Sequence, residues 1–153
     1  MKKKTVVGVP LSLVAACLAL PPAAPAAAKA PSLTVDAIEV EPKTAKPGTL
    51  CKLRVKVKND SDQDATYLVF AVKVAGSPLS VYDKHTWAYR VTAGQVTTVD
   101  LFNFWVPETG PRAVEVTLTE ARWAKVTKEG DTTTTTPLGN VEGLPASQTL
   151  RLE

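Results

Sequence analysis

Residues 50–59 read LCKLRVKVKN, and apolar and basic side chains alternate through them without interruption. The apolar set is Cys51, Leu53, Val55 and Val57, and the basic set is Lys52, Arg54, Lys56 and Lys58. Because successive side chains of a β-strand point to opposite faces, this period of two predicts a strand with one buried and one solvent-exposed face. One-sided burial of this kind is typical of antiparallel sheets.

Segments on both sides of this strand show the same period, with turns rich in Gly, Pro, Asp and Asn between them. The further predicted strands are residues 32–40, 65–76, 81–91, 96–107, 112–123 and 147–152. Together they make about seven strands without an amphipathic helix, which predicts an all-β, immunoglobulin-like antiparallel sandwich. Residues 127–143 are polar, and we expect them to form a long connection that includes the low-complexity run Thr132–Thr136.

The first residues predict export from the cytoplasm. Lys2–Lys4 precede an apolar stretch that is too short to span a bilayer, and Ala26–Ala28 supplies small residues for a signal peptidase. We therefore expect a signal peptide over residues 1–28, the end of an Ala/Pro linker over 29–31 and the sandwich domain over 32–153. In the alternative, residues 14–17 resemble a bacterial lipobox, so that the signal covers 1–16 and Cys17 carries a lipid.

Charge and cysteine content narrow the function classes. The 153 residues include 18 basic and 15 acidic side chains, but three of the lysines lie in the export signal. The remaining chain is close to neutral, which argues against nucleic-acid binding. Either cleavage leaves Cys51 without an intramolecular partner, so the domain depends on its core rather than on a disulfide. We expect an extracytoplasmic protein, in the periplasm or at the cell surface, with no transmembrane span in the mature chain.

Three stretches carry a resemblance to a known family. They are residues 46–60 (KPGTLCKLRVKVKND), 65–76 (ATYLVFAVKVAG) and 102–118 (FNFWVPETGPRAVEVTL), and they resemble bacterial immunoglobulin-like modules of the CARDB type, the cell-adhesion-related domain. The resemblance covers roughly residues 32–120 and implies the same sandwich fold. It also implies a module that binds or spaces other molecules. The chain departs from the family after residue 120, where the usual Asp-, Glu- and Asn-rich close is replaced.

The basic row of residues 50–59 has two interpretations. Lys52, Arg54, Lys56 and Lys58 could together grip an anionic glycan, a lipid headgroup or an acidic partner. In the other interpretation they form a solvated face that is paired with carboxylates of a neighbouring strand, such as Glu115. The near-neutral charge of the domain favours the second interpretation.

The turn NDSDQD offers a weak metal candidate. Asp60, Asp62 and Asp64 stand at alternate positions and supply the oxygen ligands that Ca²⁺ prefers. The EF-hand pattern is absent, so only a looser calcium site or an ordinary polar turn remains. Asn59 and Ser61 also complete an N-glycosylation sequon.

Catalytic candidates are sparse. His85 is the only histidine, which excludes a type-1 copper site, and Ser77 and Ser80 lie near it without a nucleophile-elbow motif. Cys51 is in phase with the apolar set, so we expect a buried, unreactive thiol. We therefore assign no catalytic residue and no cofactor.

The aromatic residues are the strongest binding candidates. In residues 96–107 the apolar side chains fall on both sides, so either Phe102 and Phe104 or Asn103 and Trp105 should point outward. The expected surface patch consists of Trp87, Tyr89, Phe102, Phe104, Trp105 and Trp123. The other interpretation is that the connection 124–146 folds over them. Interfaces favour aromatic side chains, so these residues are partner-binding candidates and both interpretations stay open.

These observations predict an exported, non-enzymatic binding or structural module. We expect an accessory subunit of a cell-surface or membrane-associated assembly that acts by protein–protein contact. Two alternatives remain open. A carbohydrate-binding module would stack sugars on the same aromatics, and a periplasmic chaperone or inhibitor would bind client strands by β-augmentation.

Overall fold

The computed structural model describes residues 32–75, 77–84, 89–110 and 112–152. The predicted export signal with Cys17, as well as His85 and Trp87, lies outside these residues. The strands are β1 (Leu33–Glu41), β2 (Leu50–Asn59), β3 (Asp64–Val74), β4 (Ser77–Lys84), β5 (Val96–Trp105), β6 (Ala113–Glu129), β7 (Thr132–Asn140) and β8 (Ala146–Arg151). No helix capable of crossing a membrane occurs among the described residues.

The strands form two antiparallel sheets. One sheet has the order β1-β2-β5, and the other has the order β4-β3-β6-β7, with β8 also paired to β6. Strand β6 is long enough to serve two neighbours on one edge, since residues 113–118 pair with β8 and residues 122–129 with β7. The predicted immunoglobulin-like sandwich is confirmed. The eighth strand is β7, which occupies the segment that was expected to be a polar connection.

The core lies between the inward faces of the two sheets. Strand β2 keeps the predicted alternation, and Cys51, Leu53, Val55 and Val57 are fully buried. They face buried side chains of the opposite sheet, chiefly Leu68, Phe70, Val72, Val114, Val116 and Leu118. Each large apolar side chain removed from water stabilises the fold by about 1.5–3 kcal/mol.

Irregularities in strand pairing change which side chains point inward. In β1 the register shifts between Val35 and Ala37, so that Ile38 and Val40 point inward after Leu33 and Val35. In β5 the pair Lys52↔Asn103 is followed by Arg54↔Asp100, so β5 carries an extra residue there. This β-bulge brings Phe104 to the same inward face as Leu101.

Strand β6 has a second bulge with the same effect. Phe70 pairs with Leu118 and Val69 with Glu120, so Thr119 is the extra residue, and its hydroxyl donates a hydrogen bond to the carbonyl of Val69 at 3.1 Å. Beyond the bulge the inward positions change from even to odd residue numbers. Trp123 is therefore buried, although the alternation before the bulge would leave it on the surface.

A buried asparagine fixes the corner between β2 and β3. The side-chain amide of Asn59 donates to the carbonyls of Gln63 (2.7 Å) and Val91 (2.9 Å). Its oxygen accepts hydrogen bonds from the backbone N–H and the hydroxyl of Ser61. Asn59 is fully buried and both amide hydrogens are engaged, so the predicted sequon presents no accessible nitrogen to a glycosyltransferase.

Candidate interaction surface

The basic row lies on the outer face of the three-stranded sheet, where each cation meets a carboxylate. Lys52 Nζ is 2.9 Å from an oxygen of Asp100, and Lys56 Nζ is 2.6 Å from an oxygen of Glu39. Arg54 lies between Glu41 and Asp100, with its Nε 3.2 Å from the latter, and Lys58 pairs with Asp60 at 3.0 Å. The four cations and four carboxylates form a neutral array.

The paired interpretation of the basic row is therefore the one that the geometry favours. The partners differ from the expected one: Glu115 lies on β6 in the other sheet and approaches Lys73 at 3.7 Å. The Lys56 ammonium lowers the pKa of Glu39 through their hydrogen bond, and Glu39 raises the pKa of Lys56. A neutral array produces little long-range field, so it provides weak attraction for a polyanion.

A tryptophan and a leucine form an apolar end to this face. Leu50 and Trp105 are register partners on β2 and β5, and both point away from the core because Cys51 and Phe104 point into it. The side chain of Trp105 is 67% exposed and that of Leu50 is 46% exposed. The next pair along the strands, Lys52 and Asn103, adds polar groups beside the indole. We call Leu50 and Trp105 the Trp105 patch.

A turn predicted from the sequence holds this patch in place. Pro47 and Gly48 occupy the centre of a turn closed by a hydrogen bond from the Thr49 N–H to the Lys46 carbonyl, and Gly48 has a φ of 69°. A positive φ at this position of the turn favours glycine. The Gly48 N–H donates to the carbonyl of Val106, and the Val106 N–H donates to the carbonyl of Thr49 (both 2.9 Å). These bonds tie the end of β5 to the start of β2.

The structure divides the predicted aromatic patch. Phe104 and Trp123 are buried in the core, so they are removed from the surface set, and the bulges described above are the reason. Tyr89 and Phe102 are half-buried and pack against the core. Trp105 is exposed, and Asn103 and Trp105 are the outward pair of the two that were considered. Trp87 lies outside the described residues.

The three aspartates of the predicted calcium site have separate partners. Asp60 pairs with Lys58, and one oxygen of Asp64 accepts a hydrogen bond from the Ala93 N–H at 2.9 Å. The other oxygen of Asp64 faces Arg90 at 3.7 Å, and Asp62 is exposed. Across residues 32–75, 77–84, 89–110 and 112–152, no three His, Cys, Asp or Glu side chains converge on a metal position. The calcium candidate therefore has no supporting geometry.

The thiol of Cys51 is placed as expected. It is fully buried in the inward row of β2, and burial raises its pKa. Both effects suppress the thiolate, which is the nucleophilic form. Ser77 and Ser80 lie on β4, and His85 lies outside the described residues.

A strained residue was not predicted. Tyr67 has a φ of 54°, which bulky side chains rarely adopt, and the Arg122 guanidinium lies 4.2 Å from its ring centroid. Both line a small cavity of about 200 Å³ on the five-stranded sheet, with Thr119, Glu120 and Asn140 among the other lining residues. The sequence carries no glycine or turn signal at this position, so period-two analysis could not find it. A larger open groove of about 940 Å³ lies between β1 and β8.

Comparisons with known proteins do not assign this chain to a family. No protein-family model matches the chain. No curated protein matches it. A solution NMR structure of a domain (residues 272–376) of a presumed cell-surface protein from Methanosarcina acetivorans is similar in fold, with 18% identity and a TM-score of 0.42. The match covers 74% of this chain and 95% of that domain. A likeness at this level identifies neither a family nor a function, so membership of the CARDB type stays a prediction.

Proposed function

We propose that this protein is an exported, non-enzymatic binding module that contacts a protein partner through the Trp105 patch. The observation that carries the proposal is the exposure of Trp105 beside Leu50 on a regular sheet face. Leaving a large aromatic side chain in water has no stabilising role in the fold, whereas tryptophan is enriched among the residues that dominate binding energy at interfaces.

The surroundings of the patch also fit a protein partner. Such anchors are typically bordered by contacts that exclude water and contribute little energy themselves. Lys52 follows the patch on the outer face and Arg54 and Asp100 come next along the strands, and the charges of these three residues already satisfy one another. A partner that covers them leaves no unpaired charge behind, which avoids a large desolvation penalty.

The place of action and the role in an assembly belong to the same proposal. The Lys-rich, apolar leader supports export, and the Ala/Pro-rich residues that follow it support a position outside the cytoplasmic membrane. We place the module in an accessory subunit of a cell-surface or membrane-associated assembly. Cleavage after Ala28 gives a diffusible module, and lipidation at Cys17 gives a membrane-anchored one.

Site-specific photo-crosslinking in the native host tests the contact. A photoreactive phenylalanine analogue at position 105 is expected to give a discrete crosslinked product in intact cells. The same analogue at position 96 is the matched control, because Val96 is 49% exposed and lies at the far end of the outer face of β5. A product that is equally strong from both positions, or absent from both, would contradict the proposal.

A carbohydrate ligand is the second candidate, and one observation favours it. Asn103 and Lys52 are the register pair that follows Leu50 and Trp105 on the same outer face, and the exposed amide of Asn103 is a group that can hydrogen-bond the hydroxyls of a sugar stacked on the indole. Glycan-array binding by the purified protein that is lost in Trp105→Ala and kept in Val96→Ala would select this function over a protein partner.

A further inference from the structure

The β6–β7 hairpin extends beyond the sandwich. Strand β3 accompanies β6 only as far as the pair Asp64↔Ala124, whereas β6 and β7 stay paired to Glu129↔Thr132. We call residues 125–136 the arm. All of its residues are exposed except Val126 and Thr135, which are half-buried. Five residue pairs correspond to about 16 Å of strand, and a two-stranded ribbon of this kind is only marginally stable by itself.

The two long edges of the arm differ in charge. The β6 edge carries Lys125, Lys128 and Glu129, and charged side chains deter the addition of another strand. The β7 edge has no charged residue from Thr132 to Asn140, and its first five residues are all threonine. Threonine is β-branched and favours extended backbone. In the described part of the chain β7 pairs with β6 alone, so its other edge is open.

The register shows which backbone groups point outward from β7. Gly130 and Asp131 form a two-residue turn, so the flanking pair Glu129↔Thr132 is hydrogen-bonded and the pairs alternate from there. The backbone N–H and C=O groups of Thr132, Thr134 and Thr136 form hydrogen bonds with β6. Those of Thr133 and Thr135 point to the open edge. Pro137 falls in the outward set, where its missing N–H removes no bond to β6.

We propose that the open edge of β7 pairs antiparallel with the same edge of a second copy of this chain. With the two-fold axis at Thr134, Thr133 faces Thr135 of the other copy, and each such pair exchanges two backbone hydrogen bonds. A shift that centres the axis on Thr135 would place Thr133 opposite Pro137, which lacks a donor. The proline therefore disfavours the register centred on Thr135, and the register centred on Thr134 keeps all five threonines of each copy opposite threonines of the other.

The side chains also match a second copy. An isologous contact needs a surface that is complementary to itself. Threonine opposite threonine satisfies this condition, since neighbouring hydroxyls form cross-strand hydrogen bonds and no like charges meet along the edge. The contact is small, so the dimer is expected to be weak and to form at high local concentration, as on a crowded cell surface. This inference is independent of the Trp105 patch, which lies on the other sheet.

Sedimentation equilibrium over a wide concentration range is the first test, with Thr135→Pro as the variant. Proline removes the outward N–H of residue 135 without removing a bond to β6, so the dissociation constant is expected to rise at least about tenfold. Thr135→Val is the matched control, because it keeps the N–H and the branched shape. Trp105→Ala is expected to leave dimerisation unchanged, which separates this inference from the proposed function.

Cysteine crosslinking tests the register. Residue 134 faces its own copy across the two-fold axis in a pair that is not hydrogen-bonded, at a Cα separation that permits a disulfide. In a glutathione redox buffer Thr134→Cys is expected to form covalent dimers, whereas Thr132→Cys and Thr136→Cys, on the same side of the strand, are expected to stay monomeric. Cys51 is buried in the core, away from the arm, so it is not expected to compete for the crosslink.

Two results would overturn the inference. One is a protein that stays monomeric at every concentration while Thr134→Cys remains reduced. The other is equal crosslinking at positions 132, 134 and 136, which would indicate random collision. Hydrogen exchange gives an internal check, because protection of the Thr133 and Thr135 amides should rise with protein concentration while that of Thr134 is already present in the monomer.

Discussion

Strands β2 and β5 lie side by side in one sheet, yet they place their side chains by different rules. Every second residue of β2 points inward from Cys51 to Asn59. Strand β5 changes phase at its bulge, so that Leu101 and Phe104, three positions apart, are both buried while Trp105 is exposed. The difference teaches that one extra residue decides whether an aromatic side chain belongs to the core or to a binding surface.

The largest expected effect is the difference in stability between alanine substitutions at the two neighbouring aromatic residues of β5. Phe104→Ala leaves a cavity in the core and should lower the free energy of unfolding by about 3–5 kcal/mol. Trp105→Ala removes an exposed side chain and should change it by less than about 0.5 kcal/mol. Urea unfolding measures both variants. Equal losses would mean that the bulge does not set the phase as described.

The polar end of the inward row of β2 should give the next largest effect. Asn59→Ala leaves the carbonyls of Gln63 and Val91 without their side-chain donor and should cost about 2–3 kcal/mol. Asp62→Ala, in the adjoining turn, removes an exposed side chain and serves as the control. If Asn59→Ala unfolds at the same urea concentration as the control, the corner is not held by this side chain.

The reactivity of the Cys51 thiol measures how well the other end of the inward row of β2 is buried. A thiol reagent should label it only after denaturation, because the side chain is buried and its pKa is raised. Cys51→Ala should lower the free energy of unfolding by only about 1 kcal/mol, since it removes only the buried thiol group. Rapid labelling of the native protein, at a rate near that of a free thiol, would contradict the placement of β2.

The smallest expected effect on stability comes from the ion pair of Glu39 and Lys56 on the outer face of the three-stranded sheet. The hydrogen bond to Lys56 lowers the pKa of Glu39, so the stabilisation by this pair is present above the unfolded carboxyl pKa and is lost as the pH falls through the folded one. The raised pKa of Lys56 adds stabilisation that is lost as the pH rises through its folded value.

Lys56→Met should therefore flatten the pH dependence of stability at both ends while changing the neutral-pH value little, because exposed pairs contribute little. Lys73→Met is the matched control, since its pair with Glu115 is longer, at 3.7 Å. Urea midpoints across the pH range measure both. A Lys56→Met profile that superimposes on that of the unmodified protein would show that the pair contributes no pH dependence.

Local pattern alone determined the fold class and much of its framework. The alternation of residues 50–59 placed each side chain of β2, and the Pro47-Gly48 turn fixed the connection before it. These features can be predicted from the sequence because strand period and turn type depend on residues that are close together in the chain. The sequence also favoured pairing of the basic row with carboxylates, because a near-neutral domain with four aligned cations needs carboxylates close by.

Only the tertiary structure decided the positions of Phe104 and Trp123, the partners of the four cations and the strain at Tyr67. A bulge arises where one strand carries one more residue than its partner, and the gain comes from packing across the core rather than from the local sequence. The polar run after residue 124 became a paired arm for the same reason. Its threonines gain strand pairing only because β6 continues past the sandwich and supplies the partner backbone.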